Sequence, residues 1–193
     1  MSLTKVFQHY ILSFFVSDPT ENWREAIELE LTFDFFKGTL NHITFNDPIH
    51  KLVVFGKPSN KNPHRFDIYE WKWKGQRVQA DQGRVDLFEF VFRDWQEKWK
   101  QYNSAKIKAI KEKTIELSET NTKSEIRDFF GQPTSEFSMD EVPSLLVYHY
   151  PKLCVEFQFG LDEKLQIVQI YAPADELFRT ADALAHSSFP IAD

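Results

Sequence analysis

The tetrapeptide Phe-Gly-x-Pro occurs twice, as Phe55-Gly56-Lys57-Pro58 and as Phe130-Gly131-Gln132-Pro133. Each copy closes a stretch that opens, nine residues before its glycine, on a residue suited to capping a helix: Asp47 in one case, Thr122 in the other. Asp47 is followed by Pro48, which fits the first helical position. Thr122 with Glu125 spells a capping box. Glycine readily takes the left-handed conformation that ends a helix, and a proline two residues on forbids its continuation. Both stretches are therefore expected to be two-turn helices.

The pattern downstream of each stop is that of strands. After Gly56 come apolar-alternating runs at 68–74, 76–80 and 84–92, with Gly75 and Gln82-Gly83 at the turns. After Gly131 come runs at 145–150, 152–159 and 164–171, punctuated by Pro151 and by Gly160 with Asp162. Tyr69, Trp71 and Trp73 share one face against Glu70 and Lys72, and Leu153, Val155, Phe157 and Phe159 share one against Glu156 and Gln158. Period two with aromatic and β-branched residues is the strand signature. The expected fold class is α+β with two related halves, each packing short helices on an antiparallel meander. The halves would span 1–102 and 103–193, an arrangement that one continuous domain also satisfies. Around these units, 29–35 alternate as a half-buried strand that Lys37-Gly38 turns into a second strand at 40–45. Residues 3–16 carry apolar side chains at helical spacing, with 10–16 open to a strand reading. Residues 93–117, with a sparse stripe of Trp95, Trp99, Tyr102, Ile110 and Leu117, are expected to be helical, as are 173–185.

At 193 residues the chain can bury about 70% of its unfolded surface, enough for a core without a metal or disulfide. Nineteen Phe, six Tyr and five Trp supply that core. A net charge of −6 argues against nucleic acid or an anionic membrane as the main partner. From 134 to 193 there are three Lys and Arg against ten Asp and Glu, which favours a partner with a basic surface. A single cysteine, Cys154, excludes an intramolecular disulfide and fits a reducing compartment. The apolar run at 11–16 is too short for a secretion signal or a membrane span, so a cytoplasmic protein is expected.

The chemistry of the sequence is sparse. It contains no phosphate-cradling glycine loop, no nucleophile elbow and no His or Cys spacing suited to a metal, so no catalytic residue, metal ligand or cofactor is assigned. Glu28, Glu30 and Asp34 fall on one strand face, Glu28 and Glu30 about 7 Å apart and Asp34 about 13 Å beyond. Such a row is the wet side of an amphipathic strand, an acidic docking face, or an acid–base pair. Tyr69, Trp71 and Trp73 read either as core, the safer reading, or as binding anchors. His42 and His50 flank a strand end and a helix start and could approach each other. Cys154 reads as a half-buried structural thiol. The candidate partner-binding set is Glu28, Glu30, Asp34, Tyr69 and Trp71.

The second half also carries a resemblance. Thr122-x-x-Glu125-Ile126-x-x-Phe129-Phe130-Gly131-x-Pro133, followed by Tyr148, by Val155-x-Phe157-x-Phe159 and by Leu165-x-Ile167, resembles the repeat of the β-lactamase-inhibitory-protein and small outer-membrane lipoprotein (SmpA/BamE) group. Phe55-Gly56-x-Pro58 with Tyr69-x-Trp71 is a weaker match in the first half. The resemblance implies a non-enzymatic scaffold whose sheet face holds another protein. The chain departs from that group in lacking a disulfide pair and an anchoring cysteine near its start. Cytoplasmic immunity proteins, small acidic inhibitors of toxins, lie between the two patterns. The expected function is thus a non-catalytic protein-binding module acting through an acidic, aromatic-bearing face. The alternative is an enzyme or small-molecule binder with a cleft between the halves. A homo-oligomer is left open.

Overall fold

A computed structural model describes residues 18–25, 28–60, 63, 67–93, 102–138 and 144–173. The helices expected over 3–16 and 173–185 fall outside or almost wholly outside these residues. The described chain forms twelve strands. β1 (Leu31–Asp34), β2 (Thr39–Leu40) and β3 (Ile43–Thr44) are followed by a 3-10 helix at Ile49–Phe55. Then come β4 (Ile68–Trp71), a 3-10 turn at Lys72–Lys74, β5 (Gln76–Asp81) and β6 (Arg84–Val91). β7 (Ile107–Ile110) and β8 (Thr114–Leu117) lead to α1 (Lys123–Phe130). β9 (Ser135–Phe137), β10 (Ser144–Tyr150), β11 (Leu153–Phe159) and β12 (Leu165–Tyr171) complete the order.

Two sheets hold these strands. One has seven, antiparallel throughout, in the order β4-β5-β6-β12-β11-β10-β9. The other has five, in the order β3-β2-β1-β7-β8, and is mixed because β1 runs parallel to β7. One apolar core lies against both: Phe33 of β1 meets Phe88 of β6 at 6.1 Å between centroids, edge to face, and Phe35 meets Phe130 at 5.0 Å.

This corrects the expected α+β architecture of two helix-on-meander halves. The molecule is mostly β, and its sheets, not its short helices, form the layers. Three physical reasons account for the difference. The expected meanders are joined edge to edge by β6 and β12, Val168 opposite Phe90, into one continuous sheet. The first short helix winds as a 3-10 helix, and Asp47 does not cap it. The Asp47 carboxylate accepts instead from the Thr44 N–H at 2.9 Å and from Lys51 at 2.7 Å. Finally, the described part of the 93–117 segment expected to be helical supplies β7 and β8, while 94–101 lie outside the described residues. Ile107 and Ala109 point into the core while Lys106 and Lys108 point out, and pairing with β1 and β8 overrides the helix-like stripe.

Both helix stops share one geometry. Gly56 sits at φ 75°, ψ −169° and Gly131 at φ 86°, ψ −159°, a region essentially closed to residues with a Cβ. It differs from the left-handed cap the sequence suggests. In each case an aromatic of the following meander donates to the glycine carbonyl: Trp71 Nε1 to Gly56 at 3.0 Å and the Tyr148 hydroxyl to Gly131 at 3.1 Å. The capping box forms as expected, with the Glu125 N–H donating to Thr122 Oγ1 and the Thr122 N–H to the Glu125 carboxylate.

The sheet face turned away from that core carries a polar row at one register. Glu70, Arg77, Glu89, Gln169 and Glu156 stand opposite one another across β4, β5, β6, β12 and β11. Glu89, only 2% exposed, accepts from Arg77 at 2.7 Å and from the Gln169 amide at 2.5 Å. These bonds satisfy a carboxylate that burial alone would penalise severely.

Candidate functional site

The alternation of β4 breaks after Trp71, and the break creates the most distinctive surface feature. Tyr69 and Trp71 follow the strand period and are 0% exposed. The Tyr69 ring stacks on Trp23, and that of Trp71 stands edge to face on Phe55. Neither is available to a partner, so both belong to the core, not to a docking face. Beyond Trp71 the backbone winds through the 3-10 turn and reverses at Gly75, in the left-handed region at φ 62°, ψ 23°. That turn swings Trp73 out of the common face to 37% exposure.

Opposite Trp73 runs the chain entering β1. The Lys57 N–H donates to the Arg24 carbonyl at 2.8 Å, which ties the segment after the first helix stop to this stretch. The Lys74 ammonium donates to the Leu29 carbonyl and lies 4.7 Å from the centroid of the Trp73 ring. Burial lowers the affinity of Lys74 for its proton, an effect that Glu28 partly offsets. Between these walls opens a groove of about 620 Å³ lined by Glu25, Glu28, Lys57, Pro58, Ser59 and Trp73.

The remaining predicted residues separate. Glu30 lines a second, smaller depression of about 280 Å³ with Lys106, Ile107, Lys108, Thr114 and Glu116. Lys108 stands directly opposite Glu116 there, which makes the depression a charge-paired outer face of β7 and β8. Asp34 ends β1 and its side chain closes the turn that follows. Its carboxylate accepts from the N–H groups of Phe36 and Lys37, both at 3.0 Å, and pairs with the Lys37 ammonium at 2.8 Å. Burial pushes the Asp34 carboxyl up, but the bonds and charge of Lys37 outweigh it and hold the group below its usual range. His42 and His50 are both exposed, in the β2–β3 turn and the 3-10 helix, and line neither groove. Cys154 is buried on β11.

Of the five predicted residues, only Glu28 reaches the larger groove. Glu25, Lys57, Pro58 and Ser59 were missed, and Trp73 was weighed only with Tyr69 and Trp71 on one strand face, because the groove joins segments some 30 to 50 residues apart. The one available signal was Trp-Lys-Gly at 73–75: a glycine so soon after the third aromatic implies that the strand ends before it.

An aromatic face with carboxylates at its rim is suited to a cationic side chain. Among the described residues, no group of three or more His, Cys, Asp or Glu is placed to hold a metal ion, and no helix is long and apolar enough to cross a membrane.

No family model and no curated protein matches this chain. A search of solved structures finds a likeness to the crystal structure of a DUF4309 family protein, YjgB, from Bacillus subtilis. The two are 14% identical; the match covers 86% of this chain and 95% of that one, with a TM-score of 0.45.

Proposed function

We propose that this protein is a non-catalytic binding module, of the kind an inhibitor or immunity protein represents, and that it works in the cytoplasm. Its partner is another protein that presents a basic segment to the Trp73 groove. The single observation that carries the reading is the partly exposed indole of Trp73 beside Glu25 and Glu28 in a groove of about 620 Å³. Tryptophan at a surface concavity is the residue type that most often dominates binding energy. The acidic balance of the chain adds long-range attraction for a cationic partner and speeds encounter.

Isothermal titration with an arginine-glycine hexapeptide as probe tests the reading. The parent protein should bind it, and both Trp73→Ala and the double variant Glu25→Gln/Glu28→Gln should weaken binding at least ten-fold. A glutamate-glycine hexapeptide should give no heat. Equal binding of the basic probe by parent and variants would refute the assignment.

A further inference from the structure

The outer face of the seven-stranded sheet is closed, although the core lies on its other side. Val147, Cys154, Val91 and Ile167 alternate away from the core residues of β10, β11, β6 and β12, yet they are only 6%, 3%, 2% and 4% exposed. The described elements that pack on this sheet do so on its inner face: β1 through Phe33 on Phe88, the 3-10 helix through Phe55 on Trp71, and α1 through Phe130 on Phe157. On the outer face Tyr102 packs on Val91 and Ile167, which accounts for one end. Cys154 stands at the other. It lies two strands across from Val91 and four residues further along, about 17 Å away.

The place where the chain leaves the sheet points to the cover. Tyr171, the last residue of β12, stands directly opposite Cys154, so the chain departs about 5 Å from it. Other segments enter elsewhere. Residues 94–101 are tied at both ends to the Val91 end, by the Arg93 N–H on the Gln166 carbonyl at 3.3 Å and the Ala105 N–H on the Val91 carbonyl at 2.8 Å. The described chain begins at Asp18 beside β4, where Trp23 stacks on Tyr69, four strands and about 19 Å from β11. The sequence after β12 also fits. Leu177, Phe178, Ala181 and Leu184 recur at helical spacing. A helix over 174–185 would be about 18 Å long, which matches the distance from Cys154 to Val91. We propose that residues 174–193 dock on this outer face and cover Cys154 and Val147, with Leu177, Phe178, Ala181 and Leu184 turned to the sheet. The docked segment buries an apolar strip that would otherwise invite a second copy, and it withholds the one thiol of the chain from oxidation. The proposal is independent of the Trp73 groove.

Disulfide trapping in the full chain tests it, because a bridge to Cys154 needs the two Cα atoms within about 7 Å. Leu177→Cys, Ala181→Cys and Leu184→Cys are oxidised singly with diamide, with Val6→Cys, Tyr10→Cys and Trp99→Cys as controls. At least one of the C-terminal variants should bridge to Cys154 within one chain about ten-fold faster than any control. Ellman's reagent gives a second reading. It should attack Cys154 slowly in the parent and about a hundred-fold faster in Leu177→Asp/Leu184→Asp, while circular dichroism shows the sheets intact. No bridge from any C-terminal position, a bridge as fast from a control, bridges only between two chains, or equal thiol reactivity in the parent and the aspartate variant would overturn it.

Discussion

Gly75→Ala should be among the most damaging single-methyl changes this fold can suffer. Gly75 lies at φ 62°, in the left-handed region, which costs a residue with a Cβ about 1 kcal/mol. The larger cost is spatial. A Cβ there would stand 2.5 Å from the carbonyl oxygens of both Asn103 and Val91 and 2.7 Å from the Ala105 nitrogen. All three are backbone atoms, so no side-chain rotation relieves the overlap. The end of β6 or the 103–105 segment must retreat. That motion breaks or stretches the bonds from the Val91 N–H to the Gly75 carbonyl, 2.7 Å, and from the Ala105 N–H to the Val91 carbonyl, 2.8 Å. At about 1 kcal/mol per bond, the total comes to about 3–4 kcal/mol. For a chain of this size that lowers the melting temperature by about 10 °C. Gly83→Ala is the control: φ is 76°, equally left-handed, yet no heavy atom lies within 4 Å of its would-be Cβ. It should lose only the conformational part, about 1 kcal/mol or 2–4 °C. Thermal melts of both variants followed by circular dichroism decide the matter. If the two melt together, the close approach at Gly75 is absent in solution and the reasoning fails.

Trp71→Phe should cost more than Tyr148→Phe, although each deletes one bond to a helix-stop carbonyl. Gly56 is buried and its carbonyl would stay unpaired, about 2 kcal/mol, whereas Gly131 is exposed and water replaces the lost donor at well under 1 kcal/mol; urea denaturation ranks them. Glu89→Gln should lose about 2–3 kcal/mol by the same assay, because it uncouples Arg77 from its buried partner; a neutral result would mean the pair is not formed. Burial raises the hydroxyl pKa of Tyr69, Tyr102, Tyr148 and Tyr150, for Tyr148 to about 12. A folded-state pKa above the unfolded value near 10 gives stability that is complete below pH 10 and is lost as pH rises toward 12. Absorbance at 295 nm should therefore show these tyrosines ionising together with unfolding above pH 10, and a smooth titration of a still-folded protein would contradict it.

Legibility in the sequence followed locality. The six meander strands sit within two or three residues of where alternation puts them, because a half-buried pleat needs period two and little else. The capping box at Thr122 was legible because its partners lie three residues apart. The architecture was not. Whether two meanders stay apart or join through β6 and β12 depends on matching two edges about 80 residues apart, and no local pattern encodes that match. β7 and β8 were missed for a related reason. Four-residue strands give too few alternations to outweigh a lysine-rich, helix-favouring context, and their strand identity comes from docking beside β1.

The same distinction explains why the candidate site moved. Tyr69 and Trp71, which the sequence leaves open between core and binding anchor, are core in structure, while Trp73, two residues on, leaves the sheet. What separates them is one reversal at Gly75, which needs a left-handed glycine and permits no side chain. The conformational freedom of that glycine thus has a functional consequence. A β4 extended by two more residues would bury or align Trp73 with Trp71 and close the groove against Glu25 and Glu28. Charge behaves likewise. Averaged over the chain it is −6, yet around Trp73 the fold sets Glu25 and Glu28 beside Lys57 and Lys74. Composition sets the mean field; the positions of the turns decide which partner meets which sign.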